Sequence, residues 1–399
     1  MNASELFEIR VALLRAFLNT HQLDGVLLTR PDNFAMATGG RRNYIYTYSD
    51  VGANALFVDA KGAVWFVGNT IEAPRQLEEE LAGLDVRSAE YLWFEGSPAD
   101  MVRSVFAGNI ASDDASIGPN VHGDLAPLRA LLTETELEKY RRLGVLAAEA
   151  MTETLRSITP GMPEAEIAAR LVYEGQRRRC QVPVALIAAD DRIARYRHPL
   201  PTQAPLLGSG GEAAVQRYAM VVGCFLREGL VVSLTRFRQV QEIPADLHHA
   251  YARVCAVDAI MQEATRPGRT LGQVFAACQQ TYAEYGFHPE EWHNHHQGGA
   301  TGYAGRTAKG APQSKFPVLD TEYPRRACAL LGRQIPFGAA FAWNPSAPGV
   351  KSEDTFLLLP DGKREIITAT PALPQVNLHA VLGRETEVVK SAMAPPDFC

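Results

Sequence analysis

Little in the chain would tie it to nucleic acid, to a membrane or to a cysteine-rich metal centre. Its 39 Lys and Arg residues against 45 Asp and Glu leave a net charge of −6. No basic block stands out, which speaks against a nucleic-acid or anionic-membrane partner. The longest apolar run, Ala219–Leu226 around Gly223, falls far short of the roughly 20 residues of a membrane span. Met1-Asn2-Ala3-Ser4-Glu5 leads straight into an amphipathic pattern, with neither a basic segment nor a cleavage site. Six cysteines (180, 224, 255, 278, 328 and 399) are scattered without a C-x-x-C pair. Reduced thiols and a cytoplasmic location are therefore expected. What is present suits a folded protein: 399 residues, 46% of them hydrophobic, allow two or three domains and a large core that needs no staple.

Periodicity divides the chain near residue 130. Leu6, Ile9, Leu13 and Phe17 form one helical stripe. The run 26–29, a turn at Pro31-Asp32-Asn33, a hairpin signal around Ala60-Lys61-Gly62 and a helical pattern at Ile71–Leu81 complete a small α/β unit. Thr133-Glu134-Thr135-Glu136 is a capping box, and its helix stops at Thr159-Pro160-Gly161. A second helix opens at Pro163, and strand-like runs follow at 182–188, 217–225 and 230–237. The order then repeats. A helix from about Pro244 ends at Arg266-Pro267-Gly268, Thr270-Leu271-Gly272-Gln273 caps another, and strand-like runs follow near 339–343 and 353–359. Helix, Pro-Gly, helix, strands occurs twice, and duplicated α+β halves commonly place a ligand site between their sheets.

Three stretches could carry chemistry. His288, His293, His295 and His296 lie within nine residues and lead into the glycine-rich run Gln297–Tyr303. Either a polar surface loop or a site loop fits; a metal site would need more ligands at fixed geometry, and no H-E-x-x-H or paired Asp motif is nearby. In the second stretch, Asn344 and Glu353 lie in or beside apolar runs, and Lys351 sits between them. A carboxylate entering a buried strand must be paired or functional. The third is Arg195-Tyr196-Arg197-His198-Pro199, either a basic loop at a domain edge or a site wall made rigid by proline.

Taken in order, these residues resemble the creatinase, prolidase and methionine aminopeptidase group, the M24 or "pita-bread" enzymes. Pro31-Asp32-Asn33-Phe34 with Thr38-Gly39 looks like the group's N-terminal motif, and Thr159–Glu164 like its Pro-Gly-Met-x-Glu turn. Ser233–Phe237 looks like its Asp-hydrophobic-Thr-Arg strand, His295–Tyr303 like its His-x-x-Gly-His-Gly-x-Gly loop. Trp343-Asn344-Pro345 and Lys351–Thr355 look like its Glu-Pro and Arg-x-Glu-Asp-Thr strands. The resemblance implies an α+β chain: a creatinase-like N-terminal α/β domain (1–130) followed by a pseudo-symmetric pita-bread catalytic domain (131–399). It also implies a homodimer in which Arg41-Arg42-Asn43-Tyr44 reaches the other subunit's pocket.

The group's peptidases hold two divalent ions with two Asp, one His and two Glu. By the resemblance these positions carry Val222, Ser233, Gly299, Asn344 and Glu353 here, so one carboxylate of the set remains. One carboxylate cannot hold a dinuclear centre. The expectation is therefore a metal-independent hydrolase with no cofactor, acting by acid–base chemistry on a C–N bond of a small polar nitrogen compound, as creatinase does. His198, His295, His296 and Glu353 are its candidate catalytic residues, with His198 as proton shuttle and Glu353 orienting it or acting as the base. Tyr303, Arg306, Asn344 and Lys351 are its candidate substrate-binding residues. A non-catalytic protein binding a peptide, metabolite or partner in the emptied pocket is the alternative. A mononuclear enzyme using Glu353 and the histidines is a third reading.

Overall fold

The structure is a computed structural model that describes residues 2–202 and 212–398; Cys399 lies outside the described residues. The first helix, Ala3–His21, forms on the stripe that predicts it, with Leu6, Ile9, Leu13 and Phe17 all buried. Asn2 caps it by accepting from the Glu5 amide at 2.9 Å. Five strands follow: β1 (Gly25–Leu28), β2 (Ala55–Asp59), β3 (Val64–Asn69), β4 (Arg87–Tyr91) and β5 (Ile110–Ser112). They form one sheet in the order β4-β3-β2-β1-β5, and β2–β3 is the predicted hairpin.

Two local readings change. The turn at Pro31 is the first residue of a helix, Pro31–Thr38, where a proline costs no hydrogen bond. The pattern at Ile71–Leu81 is a single turn, Ala73–Arg75, running into a π-helical turn, Gln76–Glu80. The wider turn accompanies a tertiary contact: Gln76 donates to the Arg42 carbonyl at 2.6 Å and Glu80 accepts from Arg42 Nε at 2.8 Å.

The remainder is built twice over. After β6 (Leu132–Thr133), helices Glu134–Ser157 and Glu164–Arg177 lead into an antiparallel sheet of β7 (Gln181–Ala189), β8 (Tyr218–Arg227) and β9 (Leu230–Gln239). Helices Ala245–Ala264 and Leu271–Glu284 then lead into β10 (Gly298–Thr301), β11 (Ala308–Lys309) and β12 (Phe337–Trp343). The short pair β13 (Ser346–Ala347) and β14 (Val350–Lys351) follows, then β15 (Asp354–Leu358) and β16 (Arg364–Ile366). The second sheet runs β11-β10-β12-β15-β16, with β6 paired to β12. The glycines between the paired helices, Gly161 and Gly268, take matching left-handed conformations (φ 84° and 80°).

The halves join where Thr235 N–H donates to the Glu353 carbonyl at 3.2 Å and Ser233 N–H to Thr355 Oγ1 at 2.8 Å. That join sets the middle of β9 against the start of β15. The N-terminal unit is locked on by Arg10, which is fully buried. Its guanidinium donates to Glu136 and to the carbonyls of Leu128 (3.0 Å) and Leu131 (2.7 Å). The capping-box glutamate thus has two tasks, since its other oxygen accepts from Thr133. No helix among the described residues is long and apolar enough to cross a membrane, and the five described cysteines are free thiols.

Candidate functional site

Strand register builds the floor of the site. Val222 lies opposite Thr235 and Cys224 opposite Ser233, so these four side chains share one face of β8 and β9. The β9–β15 join brings Glu353 to that face, and the β10–β11 connection brings Arg306. Arg306 Nη2 donates to Glu353 Oε1 at 2.8 Å, and its Nη1 to Ser233 Oγ at 3.4 Å. Thr235 Oγ1 donates to Glu353 Oε2 at 2.8 Å, and Asn344 Nδ2, just past β12, donates to Oε1 at 3.3 Å. The carboxylate is 2% exposed. Burial alone would raise its pKa, but the charges of Lys351 and Arg306 and the hydrogen bonds from Thr235 and Arg306 outweigh it. Glu353 is therefore held below the usual carboxylate range and stays ionised at neutral pH.

The imidazoles line an adjoining wall. His198 follows the short helix Asp191–Arg195; His295 and His296 immediately precede β10. The Nε2 atoms of His198 and His295 are 2.9 Å apart, and Lys351 Nζ lies 3.4 Å from His295 Nε2. The His295 and His296 rings stack at 4.5 Å between centroids. Lys351 and His295 are buried, whereas His198 is exposed, so the three form a path from the interior to solvent. Burial, helped by Lys351, lowers the pKa of His198 and of His295; burial and Arg306 take His296 down to about 3. All three are neutral at pH 7. Burial lowers the Lys351 pKa as well, opposed by Glu353.

Seven of the eight predicted site residues meet here: His198, His295, His296, Arg306, Asn344, Lys351 and Glu353. Two readings need correction. Tyr303 is buried with its hydroxyl turned away, donating to Glu136 Oε1 at 2.5 Å, with Arg10 stacked 4.9 Å over its ring. It belongs to the domain lock, and only its ring borders a cavity. Glu353 does not orient a histidine, because Arg306, Thr235 and Asn344 occupy both its oxygens. Within the Arg41–Tyr44 segment, Arg42 pairs with Glu80, and Tyr44 Oη donates to Gln181 Oε1 at 3.0 Å. Thr235 and Cys224 were missed as site residues. Two polar residues at alternate positions within an apolar strand, Ser233 and Thr235, carried the signal for that face.

The five positions that the resemblance assigns to two divalent ions do not fit such a pair. The Arg306 guanidinium spans Ser233 and Glu353, setting a fixed cation between two of those positions. Val222 packs in an apolar cluster with Met220 and Phe237. Gly299 has no room for a side chain, since a Cβ there would lie 2.1 Å from the Ala308 carbonyl oxygen. Asn344 is neutral. The one described cluster with the spacing of metal ligands is His198, His295 and His296, whose nearest ring nitrogens lie within 4.8 Å of one another. Lys351 beside His295, with Arg306 acting on His296, makes that cluster electrostatically hostile to a dication.

The model of metallopeptidase family M24 matches residues 138–327. A probable dipeptidase PepE of Mycobacterium tuberculosis is 24% identical over 305 residues, covering 71% of this chain and 77% of its own. A dipeptidase structure from Pyrococcus horikoshii superposes with a TM-score of 0.69 at 17% identity, over 90% of this chain and 98% of that one. Dipeptidase PepE from Mycobacterium ulcerans superposes with a TM-score of 0.68 at 16% identity, over 99% of both chains. At such identities the superpositions speak for the fold: an N-terminal α/β unit followed by the pita-bread halves. Sequence match and architecture agree: residues 138–327 match metallopeptidase family M24, and the fold around them is that of the pita-bread proteins.

Proposed function

We propose that this chain is an acid–base hydrolase that cleaves a C–N bond of a small polar nitrogen compound without a dinuclear metal centre. The observation that carries this reading is the Arg306 guanidinium bridging Ser233 and Glu353. It supplies fixed positive charge where relatives of this fold would use divalent ions. Asn344 defines the substrate's nitrogen. Its amide orientation follows from the Glu353 carboxylate, which accepts from Nδ2. The buried Oδ1 is left without a partner among the described residues. It accepts an N–H from an amide, urea or amidine in this reading. Arg306 and Lys351 stabilise the charge that develops as water attacks the adjoining carbon. His198, the exposed member of the pair, takes the water's proton while His295 Nε2 lies 2.9 Å from its own Nε2, and returns it to the departing nitrogen. Glu353 stays ionised throughout and holds Arg306 in place.

Elemental analysis and a turnover screen over amides, ureas, guanidino acids and short peptides test this. Purified protein should carry far less than one divalent ion per chain. His198→Ala should lower kcat by about 10²-fold on any compound turned over. The acid limb of the wild-type pH profile should lie below 6.5, the ordinary histidine value, because burial and Lys351 hold His198 neutral to lower pH. Stoichiometric zinc, manganese or iron, or full activity of His198→Ala, would reject the reading.

The same reading takes the working form as a cytoplasmic homodimer. Ile45, Tyr46 and Tyr48 are 63%, 66% and 87% exposed on the loop beyond Tyr44, an apolar surface that a second copy would cover. Light scattering should give twice 43.6 kDa, and a monomer at working concentration would remove this part.

A further inference from the structure

We infer that Tyr282 is a positioning residue for the proposed reaction: its one hydroxyl locks the histidine stretch to the Asn344–Lys351 turn and so sets how His295 meets His198 and Lys351. Its effect on turnover rests on the proposed function; its effect on the imidazoles does not.

Tyr282 lies on helix Leu271–Glu284, fully buried, with the Phe287 ring edge-on at 5.6 Å. Its hydroxyl makes three contacts. It donates to Gln297 Oε1 at 2.9 Å and to the Ser346 carbonyl at 3.1 Å, and it accepts from the Ser346 N–H at 2.9 Å. A phenol has one proton, so the two acceptors share it. Burial pushes the Tyr282 pKa well above the ordinary 10.0, which keeps that proton in place.

Each acceptor leads to one wall of the site. Gln297 follows His296, and its Nε2 donates to the carbonyls of Trp292 (3.1 Å) and His295 (2.5 Å). Ser346 is the partner of Lys351 in the β13–β14 register. Its own Oγ has no partner among the described residues, so Ser346 is held through its backbone. The circuit closes across the site, where Lys351 Nζ lies 3.4 Å and His198 Nε2 2.9 Å from His295 Nε2. The pairing of β10 with β12 ties the two segments as far as Asn344, whose N–H donates to the Gln297 carbonyl at 3.0 Å. Beyond that point both stretches leave the sheet. A single tie there would act as a hinge; the Tyr282 hydroxyl adds a second and fixes the angle. A contact between ring nitrogens weakens steeply with misalignment, so the geometry of the imidazoles depends on a hydroxyl behind them.

Long-range proton–nitrogen NMR of the full chain, carrying isotope-labelled histidine, tests this without a substrate; His198→Gln and His295→Gln assign the signals. Tyr282→Phe removes the hydroxyl and keeps the ring. It should move the Nε2 signals of His198 and His295 and leave exposed His21 unchanged. Tyr251→Phe removes another buried hydroxyl, one that donates to the Ser391 carbonyl at 2.8 Å, and should move neither. On any compound turned over, Tyr282→Phe should lower kcat about tenfold with KM within about threefold, whereas Tyr251→Phe should change neither. Circular dichroism melts check both variants; should Tyr282→Phe not fold, Gln297→Met breaks the same link from the other side and should give the same pattern. Unmoved His198 and His295 signals, equal movement in Tyr251→Phe, or moved signals with an unchanged kcat would overturn the inference. Moved signals with no turnover of any compound would keep the hold of Tyr282 on the imidazoles and sink the hydrolase reading. Wild-type turnover by Tyr282→Phe with unmoved signals would do the reverse.

Discussion

Glu353→Gln is expected to lower kcat/KM by about 10²-fold or more and to cost about 3 kcal/mol of stability. The change keeps the side chain's shape and removes its charge. Arg306 and Lys351 then face one another in a buried site without the anion that offsets them. Arg306 keeps some contact with water, which places the stability cost at the low end for a broken buried pair. The loss of activity comes from misplacement of the two cations and from loss of the Asn344 contact that sets the amide's orientation. Urea unfolding and steady-state kinetics on the same preparation would separate the two effects. Activity within threefold of wild type would show that Glu353 is a structural ion-pair member and not part of the chemistry.

Asp354→Asn should have the largest effect on stability alone, about 3–5 kcal/mol. Asp354 follows Glu353 in the chain but serves a different network. Its Oδ1 accepts from Arg236 Nη2 at 2.6 Å and from Thr368 Oγ1 at 2.9 Å, and its Oδ2 from Lys390 at 3.1 Å. Lys390 also pairs with Asp258 on helix Ala245–Ala264. All four charged groups are buried. In the variant, two buried cations share the single charge of Asp258, a large fraction of the 5–15 kcal/mol that holds a typical protein folded. Burial raises the Asp354 pKa, but Arg236 and Lys390 outweigh it and leave it below the ordinary value of 3.8. Its contribution is therefore present above pH 3.8 and is lost as pH falls through the lower native pKa. Denaturant titrations of wild type and variant at pH 7 would measure the difference; a shift under 1 kcal/mol would mean that the network is solvated or relaxes.

The legible features were those written in neighbouring residues. The Leu6–Phe17 stripe, the two capping boxes and the two Pro-Gly stops each concern groups a few positions apart, and each appears in the structure where its pattern lies. The π-helical turn at Gln76–Glu80 was not legible, because its polar side chains answer to Arg42, more than 30 residues earlier. Tyr303 failed for the same reason. Nothing near it in the chain shows that Glu136 and Arg10 wait for its hydroxyl. The glycines of Gln297–Tyr303 signalled a close backbone approach, yet the approaching partners, Ala342 and Ala308, came from strands that only the folded sheet supplies.

Residue identity, set against the resemblance, was enough to expect an incomplete cage of anionic side chains, since a valine or a glycine brings no side-chain donor to a hard cation whatever the fold. It was not enough to show what stands there. Arg306 and Glu353 are 47 positions apart, Thr235 and Glu353 are 118, and His198 and His295 are 97. Contacts across such separations carry no local signature, because they arise from sheet register and from the packing of two halves against each other. Tertiary structure therefore decided that Arg306, Thr235 and Asn344 gather around Glu353, with Lys351 and three imidazoles beside them.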